Sequence, residues 1–220
     1  MSDGIRVAKR RRITSDLVEI TVGEDKGEPF KIQRFLLEEN SEFFKAALRD
    51  EWKEGQEKKV HLADDDCETF AVFEEWLYSG KIGSKEGCDT KKLTAPQIYR
   101  EQQLIAKLYV LGEKLVADRF ANCVLRAMAE LCTTTGYIVT STAMGTIYRG
   151  TTETSLMRKF LVDSFYKHVD PEFLTEANAW AAWAHPYQFW CDLTRKCLAS
   201  HDRSKVAAPE DNIEIYLKNE

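Results

Sequence analysis

Hydrophobic positions alternate at 16–23. Val18, Ile20 and Val22 fall on one side of an extended segment and Glu19 and Thr21 on the other, as a strand with one buried face requires; Leu17 alone breaks the alternation. Residues 23–29 are polar, with Gly23, Gly27 and Pro29, and predict a hairpin turn before a short return strand at 30–33. A turn or two of helix follows over 34–39, with Phe35, Leu36 and Leu37. Ser41 then suits the N-cap of a second helix that places Phe43, Phe44, Ala47 and Leu48 inward. The stretch 52–59 is charged and contains Gly55, so a loop is expected. A third strand is expected at 60–62. Asp64-Asp65-Asp66 offers capping oxygens and negative charge for the helix that carries Phe70, Phe73, Trp76, Leu77 and Tyr78, which are expected in the core. Gly80 can close that helix in the left-handed conformation, and Lys81-Ile82 reads as a last short strand.

Beyond a polar stretch at 83–95 the period becomes helical. Pro96 fits a first helical turn, where its missing N–H costs nothing, ahead of Ile98, Leu104, Ile105, Leu108 and Leu111. A second helix runs through Leu115, Phe120, Val124, Leu125, Met128 and Leu131. Further helices are expected near 138–149, 154–169, 171–183 and 186–200, separated by Asp170-Pro171, His185-Pro186 and a Thr/Gly/Glu run. The last 20 or so residues are polar, with Ile213, Ile215 and Tyr216 available for a docking strand. The fold class is therefore α+β over 14–132 with an all-α extension over 133–200, flanked by a flexible basic tail at 1–13 and a polar tail at 201–220.

Composition adds little until charge is located. Apolar residues make up 44% and charged residues 30%, an ordinary globular balance. The formal net charge is −5, yet residues 1–12 carry five cations against Asp3, which leaves −9 for the remainder. An acidic body argues against binding a phosphate backbone, and no direct nucleic-acid contact is expected. The run Lys9-Arg10-Arg11-Arg12 reads as a nuclear import signal, an anion-binding tail or simply a solvated terminus. Neither a secretory signal nor an apolar run of ~18 residues is visible, so a nuclear or cytoplasmic protein with no membrane contact is expected. Its six cysteines are then expected as reduced thiols.

Motifs for chemistry are sparse. Cys191, Cys197 and His201 invite zinc, but they lack a CxxC pair and a fourth ligand. Asp64-Asp65-Asp66 lacks the later Gly and Glu of a calcium loop, and no glycine-rich phosphate loop occurs. No orienting third group accompanies a Cys/His nucleophile. Neither cofactor nor metal is expected, and a metal-dependent or thiol enzyme on the helical half is the least supported reading. Trp180, Trp183, Tyr187, Phe189 and Trp190 form the densest aromatic cluster, which serves either inter-helix packing or a partner groove.

Five segments in order resemble the BTB/POZ family. Asp16-Leu17-Val18-Glu19-Ile20-Thr21-Val22-Gly23 resembles its "D-V-x-I-x-V-G" strand, and Phe30-Lys31-Ile32-Gln33-Arg34-Phe35-Leu36-Leu37 its "F-x-V-H-K-x-x-L" segment. Asn40-Ser41-Glu42-Phe43-Phe44-Lys45-Ala46-Ala47-Leu48 is similar to "x-S-x-F-F-x-A-x-L". Residues 68–82, with Trp76-Leu77-Tyr78-Ser79-Gly80, resemble "x-x-F-x-x-F-L-x-W-L-Y-T-G-x-I", and Leu108-Tyr109-Val110-Leu111-Gly112-Glu113-Lys114-Leu115 resembles "L-Y-x-L-A-D-K-L". The spelling is similar to fungal members of this size with a helical second half. Gln33 stands where His is frequent, and 1–13 does not look like the helix that some members exchange on dimerising.

The resemblance implies an interaction module, not an enzyme, that pairs with itself as a homodimer and recruits partners. It places Asp16 and Arg34 as a charged pair at a dimer groove. It also places Trp52-Lys53-Glu54 where cullin adaptors carry a hydrophobic-x-Glu contact, with Phe44 and Leu48 counted among the partner-binding residues. A large apolar side chain in a charged loop docks either on its own domain or on a partner. The partners implied are a second copy, a cullin scaffold of a ubiquitin ligase and an unidentified client. A nuclear transcriptional cofactor scaffold is the alternative that Lys9 to Arg12 supports.

Overall fold

The structure is a computed structural model and describes residues 16–24, 27–83, 92–169 and 185–200. It opens with strands β1 (Leu17–Val22) and β2 (Phe30–Gln33), then the short helices α1 (Arg34–Asn40), α2 (Glu42–Ala47) and α3 (Lys53–Glu57), and strand β3 (Lys59–Leu62). Helices follow: α4 (Cys67–Ser79), α5 (Ala95–Lys114), α6 (Asp118–Thr135), α7 (Ser141–Gly150), α8 (Leu156–His168) and α9 (Tyr187–Ser200).

β1 is the centre of a three-stranded sheet ordered β2-β1-β3. It pairs antiparallel with β2, Val18 opposite Ile32 and Ile20 opposite Phe30, and parallel with β3, Ile20 opposite Val60 and Val22 opposite Leu62. A parallel pair needs a long crossover, and α1 to α3 supply it. The alternation is realised: Val18, Ile20, Val22, Ile32, Val60 and Leu62 are buried. Beneath them lie Phe70 against Phe30 (ring centroids 4.9 Å apart) and Phe73 against Phe120 (5.0 Å), both edge-on as the ring quadrupoles favour.

Two caps fix where these helices begin. Ser41 Oγ accepts the Phe44 N–H at 3.2 Å and donates to Leu115 O at 2.6 Å. Asp66 Oδ1 accepts the Thr69 N–H at 2.8 Å and opens α4, which Gly80 closes at φ 69°. Trp76 is buried as expected, but Tyr78 turns out of the core, 54% exposed, and its hydroxyl donates to Gln33 Oε1 at 2.5 Å. Lys81-Ile82 form no strand.

The chain divides into two compact units: 1–87 with 111–127, and 88–110 with 128–220. This differs from a sequential division at 132, because residues of α5 and α6 contribute to both. In the second unit Gln102 is wholly buried, donating to Ile138 O at 3.0 Å and accepting the Thr140 N–H at 2.9 Å. Val110 packs on Gly150, where a Cβ would approach it to 2.4 Å. Arg158 is buried, donating to Thr151 Oγ1 (3.0 Å), Thr151 O and Tyr148 O (2.7 Å), with its guanidinium 4.5 Å from the Tyr148 ring. Phe165 gathers Phe189, Trp190 and His185 at 5.1, 5.7 and 5.8 Å. That part of the aromatic cluster is packing. Trp180, Trp183, the helix expected near 171–183, both tails and His201 lie outside the described residues.

Candidate functional site

The expected loop at 52–59 is not a loop. Residues 53–57 form α3, and β3 begins one residue early, at Lys59. Glycine is a poor helix former, so the charged, Gly-containing run reads as irregular. A close approach to backbone six residues earlier overrides that preference. A Cβ on Gly55 would lie 2.1 Å from Arg49 O, so glycine is what lets this turn of helix lie against the preceding backbone. Trp52 N donates to Arg49 O at 2.9 Å and Gln56 N to Trp52 O at 3.1 Å. Gln56 Nε2 donates to Asp50 O at 3.0 Å, and Lys58 ends the turn in the left-handed region at φ 53°.

On this turn the Trp52 indole is 58% exposed, the most exposed tryptophan among the described residues, and Glu54 is exposed one turn surface away. The other two residues counted with them are not available. Phe44 is 0% and Leu48 1% exposed. They sit on the inner side of α2 and at its C-cap, so helical periodicity that made them apolar also turned them inward. Both are core side chains of this domain rather than part of its exposed surface.

Asp16 and Arg34 form no side-chain pair. Arg34 N donates to Asp16 O at 2.9 Å, but the side chains take different partners. Arg34 Nε donates to Glu38 at 2.7 Å, Nη1 to Asp50 at 3.1 Å and Nη2 to Leu48 O at 2.5 Å. The bond to Glu38, reinforced by Asp50 and opposed by burial, holds the guanidinium pKa above its ordinary value. Asp16 instead accepts from Lys58 Nζ at 2.5 Å. A backbone hydrogen bond where β1 begins and β2 ends brings the two residues together, but each side chain is taken by other partners: Glu38, Asp50 and Leu48 O for Arg34, and Lys58 for Asp16.

Lys58, Glu38, Asp50 and Gln56 were not readable as parts of this surface. Only the i,i+4 spacing of Arg34 and Glu38 carries a sequence signal. Elsewhere, among the described residues, no group of three or more His, Cys, Asp or Glu side chains could hold a metal ion. Cys67 and Cys197 are exposed thiols, while burial pushes the Cys132 thiol up to about 11. In the second unit an open cleft of about 630 Å³ is lined by Ser141, Thr142, Tyr148, Arg149 and His185 among others. Its Tyr148 hydroxyl donates to Asp192 at 3.1 Å, and burial first, then the Asp192 charge, holds the phenol well above its ordinary pKa. That phenol is a stable donor near neutral pH. No helix among the described residues is long and apolar enough to cross a membrane.

Comparison with known proteins matches residues 9–111 to the family model of the BTB/POZ domain. No curated protein matches the chain.

Proposed function

Because this chain carries a BTB/POZ domain, a protein–protein interaction module, we propose that it is a non-enzymatic adaptor whose Trp52 surface docks on a cullin-type scaffold. The observation that carries this reading is the exposed indole on a short, charged, well-tethered helix. Water-exposed tryptophan is costly in apolar area and is over-represented where interfaces concentrate their energy. Glu54, exposed beside it, supplies a carboxylate for orientation. The domain, taken as 14–132, pairs with a second copy, and the helices of 133–200 hold an unidentified client. The chemistry of a ligase would then belong to its other subunits.

The test is the mass of the purified protein in solution, alone and with the N-terminal region of a cullin. A complex is expected, with Trp52→Ala or Glu54→Ala weakening it about tenfold or more, equivalent to about 1.4 kcal/mol. A chain whose mass is unaltered by the cullin region discards the adaptor reading. The basic run Lys9-Arg10-Arg11-Arg12 supports a second reading, a nuclear cofactor scaffold. Replacing those four residues by Ala is expected to move a fluorescently tagged chain out of the nucleus, and an unmoved signal rejects the targeting role.

A further inference from the structure

Residues 48–58 are held at both ends from one point of the fold. At the front, Arg34 Nη2 donates to Leu48 O (2.5 Å) and Nη1 to Asp50 (3.1 Å), while Glu38 (2.7 Å) fixes the guanidinium from α1. At the back, Asp16 accepts from Lys58 Nζ at 2.5 Å. The Arg34 N–H bond to Asp16 O (2.9 Å) joins the two anchors where β1 begins and β2 passes into α1.

Each anchor answers a local physical need. Leu48 is the C-cap of α2, whose last carbonyls lack helical partners, and a guanidinium is a good donor to them. Arg alone among side chains offers enough fixed donors to reach Glu38, Asp50 and the Leu48 carbonyl at once. Lys58 stands at φ 53°, a conformation that is unfavourable without glycine and persists where surrounding contacts hold it. Glu19 N, which donates to Lys58 O at 2.9 Å, and the Lys58 N–H bond to Glu54 O hold the backbone, and Asp16 adds a contact to the side-chain ammonium. Between the anchors lie Trp52 and Glu54.

We propose that Asp16 and Arg34 are positioning residues that brace 48–58 at both ends and so present Trp52 and Glu54 to a protein partner in one preset geometry. A surface ordered before binding loses less entropy on docking, and this is where the brace acts. The proposal rests on the adaptor reading for the identity of the partner alone.

Amide hydrogen exchange on the full chain tests it, paired with titration of a cullin N-terminal region. Arg34→Gln and Asp16→Asn are each expected to speed exchange over 48–58 about tenfold while leaving α4 unchanged, and to weaken cullin binding by about the same factor. Arg34→Lys, which keeps the charge but not the fork, is expected to fall between. Unchanged exchange at 48–58 overturns the brace whatever the binding shows. Equal acceleration in α4 and β1 also overturns it, since it marks a general folding role. Should Arg34→Gln fail to fold, Asp16→Asn decides, because that side chain is 39% exposed and outside the core. A wild-type chain that binds no cullin region, with exchange raised locally in the variants, sinks the adaptor reading and sustains the brace.

Discussion

A methyl group at position 55 would sit 2.1 Å from Arg49 O and 2.8 Å from Leu48 O. Gly55→Ala must therefore push α3 off the backbone it lies on. A loss of about 1–3 kcal/mol is expected in urea unfolding, the usual range for forced overpacking. Wild-type stability with Ala at 55 would show that α3 can shift freely. Cys132 makes a different prediction. Its folded pKa is raised by burial to about 11 from 9.0. A group raised in the folded state contributes stability that is intact below its unfolded value and is lost as pH climbs through the folded one. The urea midpoint should thus decline between pH 9 and 11, and less steeply in Cys132→Ala. Equal slopes would reject a buried thiol.

Short elements here take their limits from single polar contacts. Ser41 both caps α2 and reaches Leu115 O, 74 residues further on. Ser41→Ala is expected to cost about 1 kcal/mol for the cap and more for the Leu115 carbonyl left buried, read as a lower melting temperature; Ser41→Thr should recover part of it. Caps such as Ser41, Asp66 and Gly80 were legible because their chemistry is local. The helix at 53–57 was not, since glycine and a run of charge argue against helix and only the approach to Arg49 O explains it. Tyr78 was misplaced for a related reason. It follows the buried Trp76 and Leu77 in sequence, but 3.6-residue periodicity carries it round to the surface, where Gln33 takes its hydroxyl.

For the whole chain, cutting after residue 132 is expected to harm folding although the family match ends at 111. Residues 88–110 belong to a compact unit with 128–220. The cut strips fully buried Gln102 of Ile138 O and the Thr140 N–H, and Val110 of Gly150. A 1–132 fragment should bind hydrophobic dye and unfold with less cooperativity than the full chain; a fragment as cooperative as the parent would refute this. What the sequence by itself determined are the features carried by neighbours a few residues apart: the alternating strands, the caps, the helical second half and the BTB/POZ likeness of 9–111. What only the tertiary structure decided are the features set by residues distant along the chain. They include the separate side-chain partners of Asp16 and Arg34, the exposure of Trp52 and the sharing of α5 and α6 between units. Periodicity says which residues are apolar together, but a side chain's neighbours across the fold depend on how backbones approach, and that is written in no local pattern.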